Sequence, residues 1–240
     1  MFPGQFQRIG SDFFEDCETS GNLTPLSEIF KEMTISTRKE RQKEELKGKI
    51  LQAAKELFMQ KGFEEVSIRN IAEKIEYSPT TIYLYFKDKD DIFCELHREG
   101  FKLLNQYFRP LAHVADPYER LKAINKAYIS FAMENGEFYD LMFIINSPMK
   151  SIQKEESDWE EGKRAFSFLV NTIEECISKG YFKEMRTEVV AFTVWSMVHG
   201  IASLEIRNRC PVVEDLNEKD LAHKASDMVN VILDRMHGVK

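Results

Sequence analysis

The spacing of apolar residues along the chain predicts helices almost throughout. From Thr37 to Lys61, Leu46, Ile50, Ala53, Ala54, Leu57 and Phe58 recur at intervals of three and four, which marks one face of a single helix. Gly62 predicts a left-handed stop, and Phe63 is placed to fold back onto the last turn. Ser67 is placed to cap a short second helix carrying Ile68, Ile71, Ala72 and Ile75. After the break Glu76-Tyr77-Ser78, Ser78 caps a third helix, PTTIYLY. Pro79 suits its first position because that N–H has no helical partner. Asp88 caps a fourth helix, expected from Lys89 past Phe108 and ending near Pro110. Further helices are predicted near 117–134, 137–146, 155–179, 187–208 and 218–237. Their breaks fall at Asp116-Pro117, Asn135-Gly136, Ser147-Pro148, Gly180 and Cys210-Pro211. Residues 1–36 show no sustained repeat; Phe13, Phe14, Leu26, Ile29 and Phe30 suffice for one short helix at most.

Composition supports this all-α reading. Gly 11 and Pro 7 are low counts for 240 residues, so turn punctuation is sparse. With 43% apolar residues the chain can bury a core. No apolar run is expected to reach the roughly 18–20 residues that cross a bilayer. The N-terminus has no basic start followed by an apolar stretch, so no secretory signal is expected and a cytoplasmic location follows. Cys17, Cys94, Cys176 and Cys210 are far apart and form no CxxC pair, which points to buried or free thiols rather than a disulfide framework or a metal knuckle. No cofactor and no metal are expected. Met33 opens a plausible second start, so residues 1–32 are expected to be a dispensable, poorly ordered extension.

Net charge is −7, which is unusual for a nucleic-acid binder, but it is unevenly spread. Residues 37–104 hold 14 Lys/Arg against 13 Asp/Glu and are the least acidic third of the chain. Any DNA contact must therefore come from a small, local positive face. Two short helices joined by a tight turn, with a longer helix on each side, make a helix-turn-helix. Ile71, Ala72, Ile75 and Ile82 supply an apolar back. Thr80, Thr81, Tyr83 and Tyr85 supply hydroxyls for bases and phosphates.

The stretches SIRNIAEKIEYSPTTIYLYFKDKDDIF (67–93) and ILQAAKELFMQKGFEEVS (50–67) closely resemble the DNA-binding core of the tetracycline-repressor (TetR) family. The resemblance covers about 37–104. It implies that Ser67 and Arg69 touch phosphates, and that Ser78, Thr80 and Thr81 lie at the groove with Thr80 or Thr81 reading base edges. Tyr83 would contact backbone or a thymine methyl, while Tyr85 and Lys87 would hold phosphates. Three residues depart from the family pattern: Glu76 where Gly is usual, Leu84 for an aromatic, and Pro79 for a Lys or Arg. The missing cation implies one phosphate contact fewer and a shallower salt dependence.

The same resemblance implies a division into an N-terminal extension (1–36), a DNA-binding domain (37–88) and an effector-binding and dimerisation domain (89–240), with helix 89–109 as the connection. TVWSMVHGIASLE (193–205) resembles the Trp-x-x-x-His-Gly signature of one C-terminal subclass, as does YISFAMENGEFYDLMF (128–143) its mid-region. TetR-like proteins hollow out this half for a small apolar or amphipathic effector. The expected lining is Phe101, Leu104, Phe108, Phe131, Phe138, Met142, Phe143, Trp195 and His199. Trp195 and His199 are four apart and share a helix face, and His199 reads either as a satisfied structural histidine or as an effector partner. Gly200 inside a helix suggests a close helix crossing. Leu221, Ala225, Met228, Val229, Ile232, Leu233 and Met236 form a stripe wide for one packed side, so helices near 187–208 and 218–237 are expected to form a homodimer interface, with burial within one subunit as the alternative. The expected function is a ligand-responsive transcriptional regulator, a homodimeric repressor acting on duplex operator DNA. An all-α carrier or adaptor without DNA binding is the alternative. No nucleophile–base pair, Gly-rich phosphate loop or metal motif suggests an enzyme.

Overall fold

A computed structural model describes residues 26–145, 160–209 and 221–237. Among the described residues there are nine α-helices and no strand: α1 (Leu26–Lys61), α2 (Ile68–Lys74), α3 (Pro79–Tyr83), α4 (Lys89–Phe108), α5 (Pro117–Glu134), α6 (Gly136–Phe143), α7 (Glu160–Ser178), α8 (Thr187–Ile206) and α9 (Leu221–His237). A 3-10 turn, Arg109–His113, follows α4 because Pro110 ends its regular hydrogen bonding. The predicted breaks at Ser147-Pro148 and Cys210-Pro211 lie outside the described residues, as do Cys17 and Cys210.

The chain divides into two compact units, Met1–Glu45 and Leu46–Lys240. The described part of the first is the opening stretch of α1, which carries an exposed Arg41–Glu45 ion pair of 2.9 Å. Residues 26–36 form the first part of α1. No Gly or Pro interrupts the chain from Leu26 to Lys47, and the run is rich in Lys, Glu and Arg. Such residues sustain a helix without any apolar repeat.

The second unit contains two apolar cores. The first joins α1, α2, α3 and the start of α4, with Ile50, Ala54, Phe58, Ile71, Ile82 and Phe93 fully buried. Gly62 has φ 81°, the left-handed stop its position predicts. Phe63 folds back so that its ring lies 5.3 Å from Phe58 and 5.1 Å, edge-on, from Phe93. Lys89 closes this corner: its ammonium donates to the Phe63 carbonyl at 2.8 Å and sits 4.2 Å from the centre of the Phe63 ring. The second core joins the rest of α4 with α5, α6, α7, α8 and α9. Helix α4 thus serves both cores, through Ile92, Phe93 and Leu96 at one end and Phe101, Leu104 and Phe108 at the other.

Two glycines differ in their surroundings. At Gly200, expected at a close helix crossing, a Cβ would meet nothing within 4 Å inside the single chain. Gly100, unremarked in the sequence, is the tight one, because a Cβ there would stand 2.5 Å from the Met142 sulfur. Helix α8 also departs from expectation. By length and composition it is apolar enough to cross a membrane, since 189–204 carry no Asp, Glu, Lys or Arg. One of its faces nevertheless packs into the second core through Val190, Ala191, Val194, Val198 and Ala202.

Between α2 and α3, Glu76 holds φ 61° at an exposed turn. A side chain in that conformation costs roughly 1–2 kcal/mol, part of which glycine's larger unfolded-state freedom takes back. Glu76→Gly is expected to raise stability by roughly 0.5–1 kcal/mol, read as a higher urea midpoint. A lower midpoint would show that the turn is not strained.

Candidate nucleic-acid interface and apolar chamber

The turn and caps of the helix-turn-helix are built from its own polar residues. Ser67 Oγ accepts the Asn70 N–H at 3.2 Å, while Asn70 Oδ1 accepts the Ser67 N–H at 3.0 Å and its hydroxyl at 2.7 Å. This reciprocal cap fixes the start of α2. Ser78 Oγ accepts the Thr81 N–H at 3.2 Å and lies 2.9 Å from Thr81 Oγ1. Below α3, Ile82 and Phe86 plug into the core. The helix is therefore short, capped and bolted down.

The outer edge of this element is open. Ser67, Arg69, Ser78, Thr80, Tyr83 and Lys87 are exposed, Tyr83 at 57%. Thr81 and Tyr85 are half-buried; Thr81 is tied to the cap, and Tyr85 packs against the core. Tyr85 also lies beyond α3, which ends at Tyr83 rather than running the full length of PTTIYLY. Arg69 makes only a loose, exposed contact with Glu73 at 3.8 Å. The Lys87 backbone N–H binds Asp91 at 3.0 Å, leaving its side chain outward. Tyr77 and Leu84, 43% and 75% exposed, complete the edge and were not among the expected contacts. Their signal was available for Leu84: it falls midway between the inward positions Ile82 and Phe86, so it must face away from them.

The second core contains a partly open apolar chamber of about 230 Å³. Of the nine expected lining residues, Phe101, Leu104, Phe108, Phe143 and Trp195 face it. The structure adds Ile124 and Tyr128 from α5, Phe166 and Leu169 from α7, and Val198 from α8. Sequence reading missed these because an apolar or aromatic residue lining a hollow has the same pattern as one filling a core. The other four expected residues sit elsewhere. Phe131 is fully buried, edge-on to Tyr107 at 5.8 Å. Phe138 lies under the Lys55 ammonium at 4.7 Å, and Lys55 also pairs with Glu137 at 2.9 Å. Met142 is pressed against Gly100.

His199 stands behind the chamber wall. Its Nδ1 is 2.9 Å from the Tyr128 hydroxyl and 3.2 Å from that of Tyr139, which also donates to the His199 carbonyl at 3.0 Å. Burial pushes the His199 imidazole below its ordinary range, with the Arg207 charge acting the same way. Burial likewise raises the Tyr128 phenol well above its usual value and pushes Tyr139 up to about 12. The cluster is therefore neutral near pH 7. Asn125, the other polar residue at the wall, donates to Asn230 at 3.0 Å. Among the described residues no group of acidic, Cys and His side chains is arranged to hold a metal.

A second histidine, His97 on α4, is 4% exposed. Burial pushes its imidazole down to about 4, against a weaker opposing hydrogen bond to the Met142 backbone. In the unfolded chain the ring protonates below about 6.5. The unfolded state therefore binds more protons between these values, and stability held above pH 6.5 is lost as pH falls towards 4. His97→Gln, which keeps a donor for that backbone partner, is expected to remove about 2–3 kcal/mol of the acid sensitivity between pH 7 and 4. Urea titrations across that range measure it, and an unchanged pH slope would clear His97 of the effect.

Comparison with known proteins agrees with both halves. Residues 50–96 match the family described as bacterial regulatory proteins, tetR family, and residues 121–229 match a tetracyclin repressor-like C-terminal domain. The latter description does not single out the Trp-x-x-x-His-Gly subclass. The transcriptional activator FasR of Mycolicibacterium smegmatis is 26% identical over 102 residues, 42% of this chain and 47% of its own, so that match spans about half of the relative. The uncharacterised transcriptional regulator YdgC of Bacillus subtilis is 22% identical over 79% of this chain and 91% of its own. Among solved structures, the fatty acid degradation regulator FadR from Bacillus halodurans superposes with a TM-score of 0.64 at 18% identity, covering 81% of this chain and 96% of its own.

Proposed function

The chain belongs to the TetR family of bacterial regulatory proteins, and we propose that it acts as a homodimeric repressor released from its operator by a small apolar or amphipathic effector. The observation that carries the reading is the capped, rigidly seated α3 with Thr80 and Tyr83 facing solvent. A helix so mounted fits the major groove, with Ser67, Arg69 and Lys87 placed for phosphates and Thr80 and Tyr83 for base edges. Thr81 and Tyr85 contribute from the margin.

The partner is a second copy. Val189, Phe192 and Leu204 on α8 and Met228, Val231 and Ile232 on α9 are all exposed, Phe192 at 62%. A monomer rarely leaves so much apolar surface in water. The wide stripe of α9 divides accordingly: Ala222, Val229 and Leu233 turn inward, while Met228 and Ile232 turn out. Gly200, with nothing near it, lies on the same helix and leaves room for a close crossing between copies.

The effector enters the chamber beside α4. Because α4 is shared by both cores, an occupant that displaces Phe101, Leu104 or Phe108 shifts the mounting of α3. It alters the equilibrium only by binding the released form more tightly. This regulator acts on DNA in the cytoplasm, and neither a cofactor nor catalysis is part of the reading. The test is protection of the DNA upstream of its own gene. Two protected blocks about 34–36 Å apart are expected, one per recognition helix. Affinity no better than for unrelated DNA would leave the carrier or adaptor reading.

A further inference from the structure

The chamber has no means of holding a charge. Its side-chain polar groups are Asn125, which donates to Asn230, Tyr128, paired with His199, and the Trp195 indole N–H, which donates to the Tyr128 hydroxyl at 3.4 Å. A carboxylate or phosphate buried there would be unpaired, which strongly opposes entry. Directly across one of its walls the chemistry changes. Phe108 lines the chamber on one side and, on the other, a groove of about 540 Å³ along α4 and α7. That groove carries Lys102, Arg109 and Arg164 against a single acid, Glu161. Arg164 stands 3.5 Å from Glu161 and also from Glu160, whereas Lys102 and Arg109 are exposed cations on the α4 side.

The two spaces meet at Phe108, which lines both. On the groove side the Phe168 ring stacks on it at 5.9 Å, and the Asn105 amide donates to the Glu161 carbonyl at 3.0 Å and carboxylate at 3.1 Å. Neighbouring residues of α7 are divided between the two spaces. Gly162, Ala165 and Leu169 look into the chamber, and Glu161, Arg164 and Phe168 look into the groove. An apolar hollow and a cationic groove that share one aromatic wall fit the two ends of one molecule.

We propose that the effector is an amphiphile whose apolar chain fills the chamber and whose anionic headgroup lies in the groove of Lys102, Arg109 and Arg164, with Phe108 between them. This rests on the reading of the chamber as the effector site and adds the charge and position of the head. The chain supplies burial, and the head supplies the preference for an anion, which is weakened by salt because the groove is open to water.

The probes are decanoate, decyl phosphate and 1-decanol, below their micellar concentrations, titrated calorimetrically into the full chain. In low salt both anions are expected to bind at least tenfold more tightly than decanol. The double variant Lys102→Glu/Arg109→Glu should reduce that advantage to less than twofold while leaving decanol affinity unchanged. Both residues are exposed, so its melting temperature without probe should match the parent's. Tighter binding of decyl phosphate than of decanoate points to a phosphorylated head, and the reverse order to a free carboxylate; either supports an anionic head. Equal binding of decanol and the anions overturns the proposal, as does an anion preference that survives charge reversal. Failure of all three probes to bind, with operator protection intact, removes the chamber as the effector site and the headgroup groove with it.

Discussion

Tyr83→Ala and Thr80→Ala are each expected to weaken operator binding by about 1–3 kcal/mol while leaving thermal stability unchanged. The expectation follows from what these side chains do not touch. Tyr83 is 57% exposed and Thr80 is exposed at the tip of α3, so neither truncation opens a cavity or strands a buried polar group. Fluorescence anisotropy on the protected DNA, beside a melting curve, reads both quantities. Parental affinity in both variants would remove α3 as the reading element. Thr81 and Tyr85, equally natural choices from sequence, are poorer probes. Thr81 belongs to the Ser78 cap, and Tyr85 packs on the first core, so their truncation mixes stability with recognition. The Pro79 departure adds a milder expectation of the same kind, a salt dependence shallower than that of a chain with Lys there.

The larger effect is expected at the other end of the molecule. Phe192→Glu combined with Met228→Glu should leave a folded monomer. Phe192 and Met228 are 62% and 57% exposed, so a carboxylate at either position is solvated in the single chain. In a dimer built on the α8–α9 face the same carboxylates would be buried without partners, at a cost of several kcal/mol each. Losing the second recognition helix then removes half of the operator contacts, and affinity should fall by about 10³-fold or more, toward non-specific binding. Sedimentation and anisotropy measure the two consequences. A variant that remains dimeric would move the interface elsewhere. A variant that is monomeric yet binds as the parent does would show that one helix-turn-helix suffices.

What was legible in the chain is the part governed by local rules. The Gly62 stop, the Ser67, Ser78 and Asp88 caps, and the Asp116-Pro117 start of α5 each satisfy a backbone group within a few residues. Their chemistry is therefore written at fixed short offsets. The turn at Glu76 was flagged only by the resemblance, as a residue standing where the family usually has Gly. The outward edge of α3 followed from period, since positions flanking the buried Ile82 must face away from it. Even here local rules missed two ends: PTTIYLY overran α3, which stops at Tyr83, whereas α1 begins at Leu26, ahead of the expected Thr37, because helical propensity alone continues where no breaker stands.

The amino-acid order by itself therefore determined an all-α chain, the caps that punctuate it, and a helix-turn-helix with a hydroxyl-bearing edge. Only tertiary packing decided which aromatic residues face a hollow and which fill a core. Phe143 and Phe131 are indistinguishable in sequence, yet one lines the chamber and the other is sealed against Tyr107. It also decided that Gly100, not Gly200, is pinched, and that Lys89 is spent inside while Lys102 and Arg109 face a groove. The physical reason is that a cavity, a close approach or a charged groove is a relation between residues of separate helices. Hydrophobic periodicity records which side of a helix avoids water and carries no record of what stands opposite.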